Sequence, residues 1–505
     1  MKKIISLLVI IISTMVLTGC KWHNKNDMSK HIYTNNVIKA PTDEEDGLIE
    51  HYCKICEYKW EEKIPSFNHK HSPTTTEVPS TCLESKYYHE VCDCGLSSKL
   101  YSSIDGHKYG EYRVSKKPTK NEDGLMTTKC LTCNEKYEVV LSKLDKNYTE
   151  NLEYEFDDET KSYTVVGVKE GESLSKELVI PSFYNNYPVT KIGEKAFYYC
   201  DAKIIDLPNS IVIIDKLSFS KGWMEEIVLP DSVTVIKSSA FRDCPNLKSI
   251  VLSKNLLIIE DSAFNYCSEL TSIVIPDKVV FIGREAFKMC VSLKSINIPK
   301  SVKYVGGFAF DWCMSLSKIE LESAKTVLDY RAFRGYTGMQ EIYFSGSIYD
   351  WCSNSFGVDV FSESVTMFMK NSKGEWEELI DLVIPESVTT ITYSAFANFR
   401  RIKTVKLPNS LTTIKASAFK NCIELEEIII PDSVIYIDPY VFKGCMKLEK
   451  VLISDNVIYI GYDVFIESNT NLNILCEAES KPQYWLENWN RSGNGKYNVQ
   501  WGYNK

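Results

Sequence analysis

The chain has 505 residues, of which 44% are hydrophobic and 25% are charged, and its formal net charge is -9. This length exceeds what one compact core supports, so several domains or an elongated architecture are expected. Thirty tyrosines and nine tryptophans argue against disorder, and the acidic balance argues against a nucleic-acid partner, which selects a basic surface.

The N-terminus has the pattern of a secretory signal peptide. Two lysines precede an almost unbroken apolar run from Ile4 to Leu17, which is too short to span a bilayer. The L-T-G-C sequence that ends at Cys20 resembles the lipobox of bacterial lipoproteins, in which the cysteine becomes the first residue and carries the lipid. We therefore expect a signal peptide at 1–19 and a polar tether at 20–40, anchored to the outer side of the cell membrane. The alternative is an ordinary secretory signal with a chance cysteine.

Residues 41–147 contain three units with a period of 38 or 39 residues. Each unit has a proline and, 12 or 13 residues later, the first of two closely spaced cysteines. A small zinc knuckle needs two thiolates from one tight turn and further ligands from the next loop. The candidate ligands are Cys53, Cys56 and His69 (or His71) in the first unit, and Cys82, Cys92, Cys94 and His107 in the second. The third unit keeps only Cys130 and Cys133.

Zinc is not the only interpretation of this module. An exported chain can oxidise its cysteines, and small units with little core are often held together by disulfides. A third possibility is that the cysteines do neither. The module resembles short Cys-x-x-Cys/His repeats found beside other domains in surface proteins of Gram-positive bacteria, and that resemblance implies a structural role.

The stretch 148–190 is expected to form an N-terminal cap. Leu152 to Phe156 alternates as a strand does, and Ser162 to Val168 is predicted to be a second strand after a polar turn. A solenoid needs such a cover because its first coil would otherwise expose an apolar end.

Residues 176–475 repeat one pattern every 22 or 23 residues, interrupted once. An I-x-I-P block is predicted to form a strand, a V-x-x-[IV]-G block to turn the chain back, and an A-F-x-x-C block to fill the interior. This period is typical of leucine-rich repeats. We expect a right-handed, β-rich repeat solenoid with a parallel sheet face, preceded by the Cys/His units. The phenylalanines of the third block are Phe197, Phe219, Phe241, Phe264, Phe287, Phe310, Phe333, Phe396, Phe419, Phe442 and Phe465.

These phrases closely resemble the BspA-like leucine-rich-repeat family of bacterial surface proteins. The I-P-x-S-V phrase at 430–434 and the A-F-x-x-C phrase at 263–267 carry the resemblance. An insertion at 344–380 and an aromatic cap at 476–505 also look like the family. The resemblance implies adhesion to host proteins, other bacteria or surfaces.

The cysteines of the A-F-x-x-C block could bind metal or form disulfides, but a small buried hydrophobe is the favoured interpretation. Phe399 replaces the cysteine in one repeat, which fits a packing position.

Catalysis has little support in the sequence. All seven histidines lie at or before His107, so the array has no histidine base for a nucleophile. Acid pairs such as Glu225 and Glu226 are interpreted as solvated surface. We expect no enzyme activity, with an envelope hydrolase as a distant alternative.

A binding face is the remaining candidate site. Outward strand positions are normally polar, yet several are apolar here, and exposed apolar stripes often mark interaction surfaces. The candidate face residues are Val228, Val251, Val274, Asn297, Glu320, Tyr343, Lys406, Ile429 and Leu452.

The sequence therefore predicts a surface-exposed, lipid-anchored adhesin whose partner is an extracellular protein or glycan, including host matrix. A scaffold of the cell envelope without an external ligand is the alternative. No cofactor is expected apart from structural zinc in 41–147.

Overall fold

The structure is a computed structural model. It describes residues 106–503 apart from 173, 175, 324, 335–339, 354–359, 362–363 and 494, and before residue 106 it describes the backbone of six strands.

Each Cys/His unit is a three-stranded antiparallel sheet. In the third unit the cysteine pair lies in the turn between the second and third strands, so the two thiols are close without help from distant contacts. The nine strands are Tyr33–Lys39, Gly47–Cys53, Lys59–Ile64, Thr74–Val78, Lys86–Val91, Ser97–Ser103, Arg113–Lys116, Gly124–Lys129 and Lys136–Leu141.

The rest of the chain is a parallel β-solenoid that opens with the two predicted strands, Leu152–Asp157 and Ser162–Val168. These form an antiparallel hairpin whose second strand pairs in parallel with Tyr187–Ile192, which in turn also pairs with Phe183–Tyr184. The hairpin therefore supplies the first rung of the solenoid and covers its apolar end.

The first face of the solenoid consists of strands from the I-x-I-P blocks. In Ser249–Val251 the central Ile250 points into the core while its neighbours are exposed, as the alternation predicts. The first-face strands are Glu177–Val179, Ile204–Asp206, Glu226–Val228, Ser249–Val251, Ser295–Ile298, Lys318–Leu321, Gln340–Phe344, Val365–Lys370, Asp381–Val383, Thr404–Lys406, Glu427–Ile430, Lys450–Ile453, Asn473–Cys476 and Val499–Gln500.

The second face is a sheet that the sequence did not predict. The V-x-x-[IV]-G block does not merely turn the chain, because its last apolar residues form two-residue strands that pair from coil to coil. After Tyr187–Ile192 these strands are Ile213–Ile214, Val235–Ile236, Ile258–Ile259, Phe281–Ile282, Tyr304–Val305, Val327–Leu328, Thr390–Ile391, Thr413–Ile414, Tyr436–Ile437 and Tyr459–Ile460.

The A-F-x-x-C blocks form a third hydrogen-bonded side. In the coil around Phe287, the N–H groups of Glu285, Phe287 and Met289 donate to carbonyls of the next coil at 3.1, 2.7 and 2.9 Å. Glu285 and Met289 have positive φ, so the chain turns at both positions without glycine. All three sides of the coil thus fix the register between neighbours.

The phenylalanines of these blocks stack into one column inside the solenoid. Within the two regular runs, neighbouring ring centroids are 4.9 to 5.7 Å apart and the rings are nearly parallel, at 2 to 18°. Centroid distances of this size lie in the favourable range for aromatic pairs. We call this column the phenylalanine ladder.

The insertion at 344–380 continues the ladder instead of breaking it. Phe361 stacks on Phe333 at 5.9 Å and on Trp351 at 6.0 Å, and Trp351 meets Phe399 edge-on at 5.8 Å. Trp351 belongs to the helix Ile348–Ser353, and its indole N–H donates to the carbonyl of Ala395 at 2.7 Å. The side chains that replace the repeat phenylalanine are therefore also aromatic.

Two further hairpins border the regular coils. The strand Val365–Lys370 pairs in parallel with the preceding first-face strand and antiparallel with Trp376–Glu378. The parallel sheet of the first run of coils therefore ends at this hairpin. At the C-terminus, Arg491–Ser492 pairs with Gly495–Lys496. Trp489 packs edge-on against Phe465 at 6.1 Å and closes the ladder.

The cysteines of the A-F-x-x-C blocks are buried thiols, which confirms the packing interpretation. Most also donate a hydrogen bond that the sequence did not predict. The Cys290 thiol reaches the Phe264 carbonyl at 3.2 Å, and Cys445 reaches the Phe419 carbonyl at 3.3 Å. Ser468 occupies the same position in the last coil, and its hydroxyl donates to the Phe442 carbonyl at 2.6 Å.

Replacement of the ladder residue in the insertion tests its continuity. Phe361→Ala should lower the free energy of unfolding by about 3 to 5 kcal/mol, because it removes a buried aromatic side chain and leaves a cavity. Phe368→Ala is the matched control, since Phe368 is only half-buried and lies on the first face. Urea denaturation followed by circular dichroism measures both. Equal, small losses would contradict the continuous ladder.

The buried thiols predict a stability loss at high pH. Burial raises the pKa of Cys290 and of Cys445 from 9.0 to about 12. The unfolded chain ionises these thiols above pH 9 while the native chain keeps them protonated, so stability is complete below pH 9 and falls toward pH 12. When the pH is raised from 8 to 10, the free energy of unfolding should fall in both proteins. The fall should be roughly 1.4 kcal/mol smaller in Cys290→Ala than in the unsubstituted chain, because the variant lacks one of these thiols. Parallel losses in the two proteins would contradict the assignment.

Candidate functional site

Three valines form an exposed stripe on consecutive coils of the first face. Val228, Val251 and Val274 are 62%, 58% and 80% exposed. Val228 pairs in register with Val251. The segment around Val274 does not form a regular strand. It is nevertheless aligned with the neighbouring coils, because Thr271 N donates to Lys248 O and Lys294 N donates to Thr271 O, both at 3.3 Å. We call these three residues the valine stripe.

Charged and polar groups border the valine stripe. Lys248 and Glu225 form an ion pair at 2.9 Å at the start of two of these strands. This contact raises the pKa of the lysine and lowers the pKa of the carboxyl, mainly through the hydrogen bond between them. Toward the middle of the array the outward row continues with exposed Asn297, whose amide donates to Glu322 at 2.7 Å. The stripe is thus an apolar strip with a polar rim.

An aromatic cluster follows on the same face. Glu320, Tyr343 and Phe368 occupy successive outward positions in register. Tyr343 stacks on Phe368 at 4.7 Å and meets Trp376 edge-on at 5.2 Å. The Lys318 ammonium lies 4.4 Å from the Tyr343 ring centroid. The sequence did not identify Phe368 as an outward residue, because the insertion interrupts the repeat period from which the outward positions were predicted.

The C-terminal part of the face corrects one predicted residue. Lys406 and Ile429 are exposed as expected, but Leu452 is only 7% exposed. Its in-register neighbours are Ile429 and Leu475, so apolar residues flank it on both sides. Sequence reasoning also omitted Val383, which is 58% exposed and begins this sheet. The alternation of Asp381–Val383 is the signal that would have found it.

The third Cys/His unit packs on the second face of the solenoid and not on the face that carries the valine stripe. The Tyr137 hydroxyl donates to the Ser232 carbonyl at 3.0 Å, and Val212 packs into the apolar core of the unit. Gly106 lies so close that an added Cβ would be 2.9 Å from the Ile258 methyl group. The outer side of the second face is therefore covered along several coils.

A group of possible metal ligands lies at this contact. One donor atom each from His107, Cys130 and Cys133 lies within 4.8 Å of the other two. Sequence reasoning assigned His107 to the second unit, whereas the structure brings it to the third-unit cysteines. The sequence did not indicate this grouping because His107 lies before the first strand of the third unit, whereas both cysteines lie within that unit.

Several predicted site residues lie outside the described part of the chain. The side chains concerned are the lipidation residue Cys20 and the candidate ligands Cys53, Cys56, His69, Cys82, Cys92 and Cys94. In the described residues, no helix has both the length and the apolar character that a bilayer span requires.

Known proteins share this architecture. A profile of the BspA type leucine rich repeat region, in six copies, matches residues 175–283, 257–373 and 370–484. No curated protein sequence matches the chain.

Three solved structures are similar to this chain. A leucine-rich repeat protein from Bacteroides ovatus is 21% identical, with 65% of this chain and 94% of that chain covered and a TM-score of 0.38. A leucine rich cell surface protein from Faecalibacterium prausnitzii is 23% identical, with 66% of this chain and 95% of that chain covered and a TM-score of 0.36. The pneumococcal vaccine antigen PcpA is 19% identical, with 67% of this chain and 84% of that chain covered and a TM-score of 0.39. Since the family profile covers more than half of the sequence, this chain belongs to the BspA type leucine-rich repeat family.

Proposed function

We propose that this protein is a lipid-anchored adhesin of the bacterial surface, and that the first face of its solenoid binds an extracellular protein or glycan. The valine stripe is the observation that carries the proposal. Three consecutive coils place a largely exposed valine where the alternation of a half-buried strand favours a polar residue.

The energetics of burial favour a partner for this stripe. Full burial of a valine side chain is worth on the order of 1.5 kcal/mol, so three adjacent valines can supply much of the energy of a modest interface. The ion pair of Glu225 and Lys248 at the border gives charges that can orient the partner. An apolar centre with a polar rim is also the usual anatomy of a protein interface.

The position of the third Cys/His unit supports the first face as the binding side. That unit covers part of the second face, where Tyr137 and Gly106 contact the coils. None of the residues that the structure describes covers Val228, Val251 or Val274 in this way. An external partner can therefore reach the valine stripe while the third Cys/His unit occupies the second face.

The anchor is proposed on the sequence alone. The apolar run and the L-T-G-C sequence direct acylation to Cys20, and residues 20–40 would hold the module away from the lipid surface. More than one acyl chain on the cysteine would give stable attachment, since a single chain binds only marginally.

We prefer binding to catalysis because the array cannot pair a carboxylate or a nucleophile with a histidine base. It contains no histidine, and the adjacent Glu225 and Glu226 are both exposed, with Glu225 held in an ion pair. The hydrogen bond from Lys248 lowers the pKa of the Glu225 carboxyl, which is the direction opposite to that of a general acid.

Charge placed in the valine stripe should weaken binding. The chain with Cys20→Ser, secreted without its anchor, is tested against immobilised matrix proteins, glycans and bacterial cells. The added substitutions Val251→Lys and Val274→Lys should raise the Kd of any saturable interaction at least tenfold, or about 1.4 kcal/mol, because two ammonium groups would be buried in the interface.

Val383→Lys is the matched control, since Val383 has the same exposure as Val251 but lies beyond the insertion. It should leave the Kd unchanged. Binding that survives the stripe variant and is lost with Trp376→Ala would move the site to the aromatic cluster. Absence of binding to every probe would favour the envelope scaffold instead.

The anchor has its own test. The unsubstituted protein should incorporate labelled palmitate and partition into the detergent phase of Triton X-114, whereas Cys20→Ser should do neither, because only the thiol accepts the lipid. Equal partitioning of the two proteins would show that Cys20 carries no anchor.

A further inference from the structure

The third Cys/His unit contains a cluster whose donor atoms match a zinc site. His107 Nδ1 lies 3.4 Å from Cys133 Sγ, and the donor atoms of His107, Cys130 and Cys133 are all within 4.8 Å of one another. A tetrahedral zinc ion with ordinary bond lengths separates a nitrogen and a sulfur ligand by about 3.5 Å and two sulfurs by about 3.8 Å. A small rotation of one side chain therefore completes the geometry.

The turn that holds the two cysteines has the form of a metal knuckle. The Cys130 N–H donates to the Glu135 carbonyl at 2.9 Å, and Asn134 N–H donates to the Cys130 carbonyl at 3.0 Å. Asn134 adopts a φ of 63°, a conformation that asparagine tolerates better than most residues. The Thr132 N–H points at Cys130 Sγ at 3.4 Å, and a donor in this position favours the thiolate.

Glu135 orients the histidine for this role. Its Oε2 lies 3.4 Å from His107 Nε2, on the side of the ring opposite to Nδ1, and the His107 side chain is only 7% exposed. Metal-binding histidines commonly donate their second ring N–H to a carboxylate, which fixes the tautomer and leaves the other nitrogen for the metal. Here Glu135 Oε2 lies beside Nε2, and Nδ1 faces the sulfur of Cys133.

From this geometry we infer that His107, Cys130 and Cys133 bind one Zn²⁺ ion, with Glu135 as the positioning residue and a water molecule as the fourth ligand. Two thiolates and an imidazole select zinc over the harder cations. The exposure of Cys133 leaves room for the water. The spacing of His107 and Cys130 recurs in the sequence between His69 and Cys92, which indicates a property of the repeat.

The metal would couple the Cys/His unit to the solenoid. Gly106, directly before His107, lies against Ile258 and Val235 of the second face. His107 and Glu135 also line a cavity of about 250 Å³ with Thr234, Asn255 and Lys278 of the coils. A bond from zinc to His107 therefore fixes the segment that contacts the array to the knuckle of the same unit. This role is independent of the adhesin proposal.

Metal analysis of the whole chain tests the inference. The protein is purified with zinc present, passed through a desalting column, and its zinc is measured by inductively coupled plasma mass spectrometry. Cys133→Ser and, separately, His107→Ala should each lower the content by one zinc per chain. Cys290→Ser is the control for loss of a thiol in the array and should keep the full content. Unchanged zinc in both site variants would overturn the inference.

Two further readouts distinguish a metal site from its alternatives. Glu135→Gln should retain the metal but release it to a competing chelator at roughly 10- to 100-fold lower chelator concentration, because only the orientation of His107 is lost. Cobalt substitution should give the thiolate charge-transfer and visible bands of a tetrahedral site, and these should vanish in Cys133→Ser. A Cys130–Cys133 disulfide, detected by mass spectrometry in the chain purified with zinc, would overturn the inference.

Discussion

The stacking of one phenylalanine from each coil is the interaction on which this structure depends. Each ring lies 4.9 to 5.7 Å from the next within the regular runs, close to the spacing of the parallel strands around it. A coil of 22 or 23 residues returns the chain to the same point, so the ring and the two positive-φ turns recur together, with the thiol in most coils.

That constraint explains the irregular parts of the chain. In the insertion, Phe361 and Trp351 provide aromatic surface where no repeat phenylalanine exists. At the C-terminus, Trp489 and Trp485 cover the last ring, and the Trp485 indole donates to the Val457 carbonyl at 2.9 Å. Because the interior is filled along its length, the outward positions can vary freely, and function can reside in the valine stripe.

The period of the sequence was enough to predict the solenoid, its interior phenylalanines and the burial of the repeat cysteines. The period was not enough to predict the second face, because a two-residue strand is too short to show an alternation of apolar and polar residues. Leu452 was predicted to be exposed from its strand position, but its burial depends on Leu475 in the next coil. The partners of His107 were missed because the histidine was grouped with the cysteines that precede it, whereas the structure brings it to the cysteines that follow it.

Hydrogen exchange on the whole chain tests the continuous ladder most directly. If the insertion carries the stack, buried amides of the coils around Phe310 and around Phe419 should share one opening free energy and lose protection together as denaturant is added. Two separate transitions, with amides on one side of 344–380 exchanging while those on the other side stay protected, would contradict a single stack.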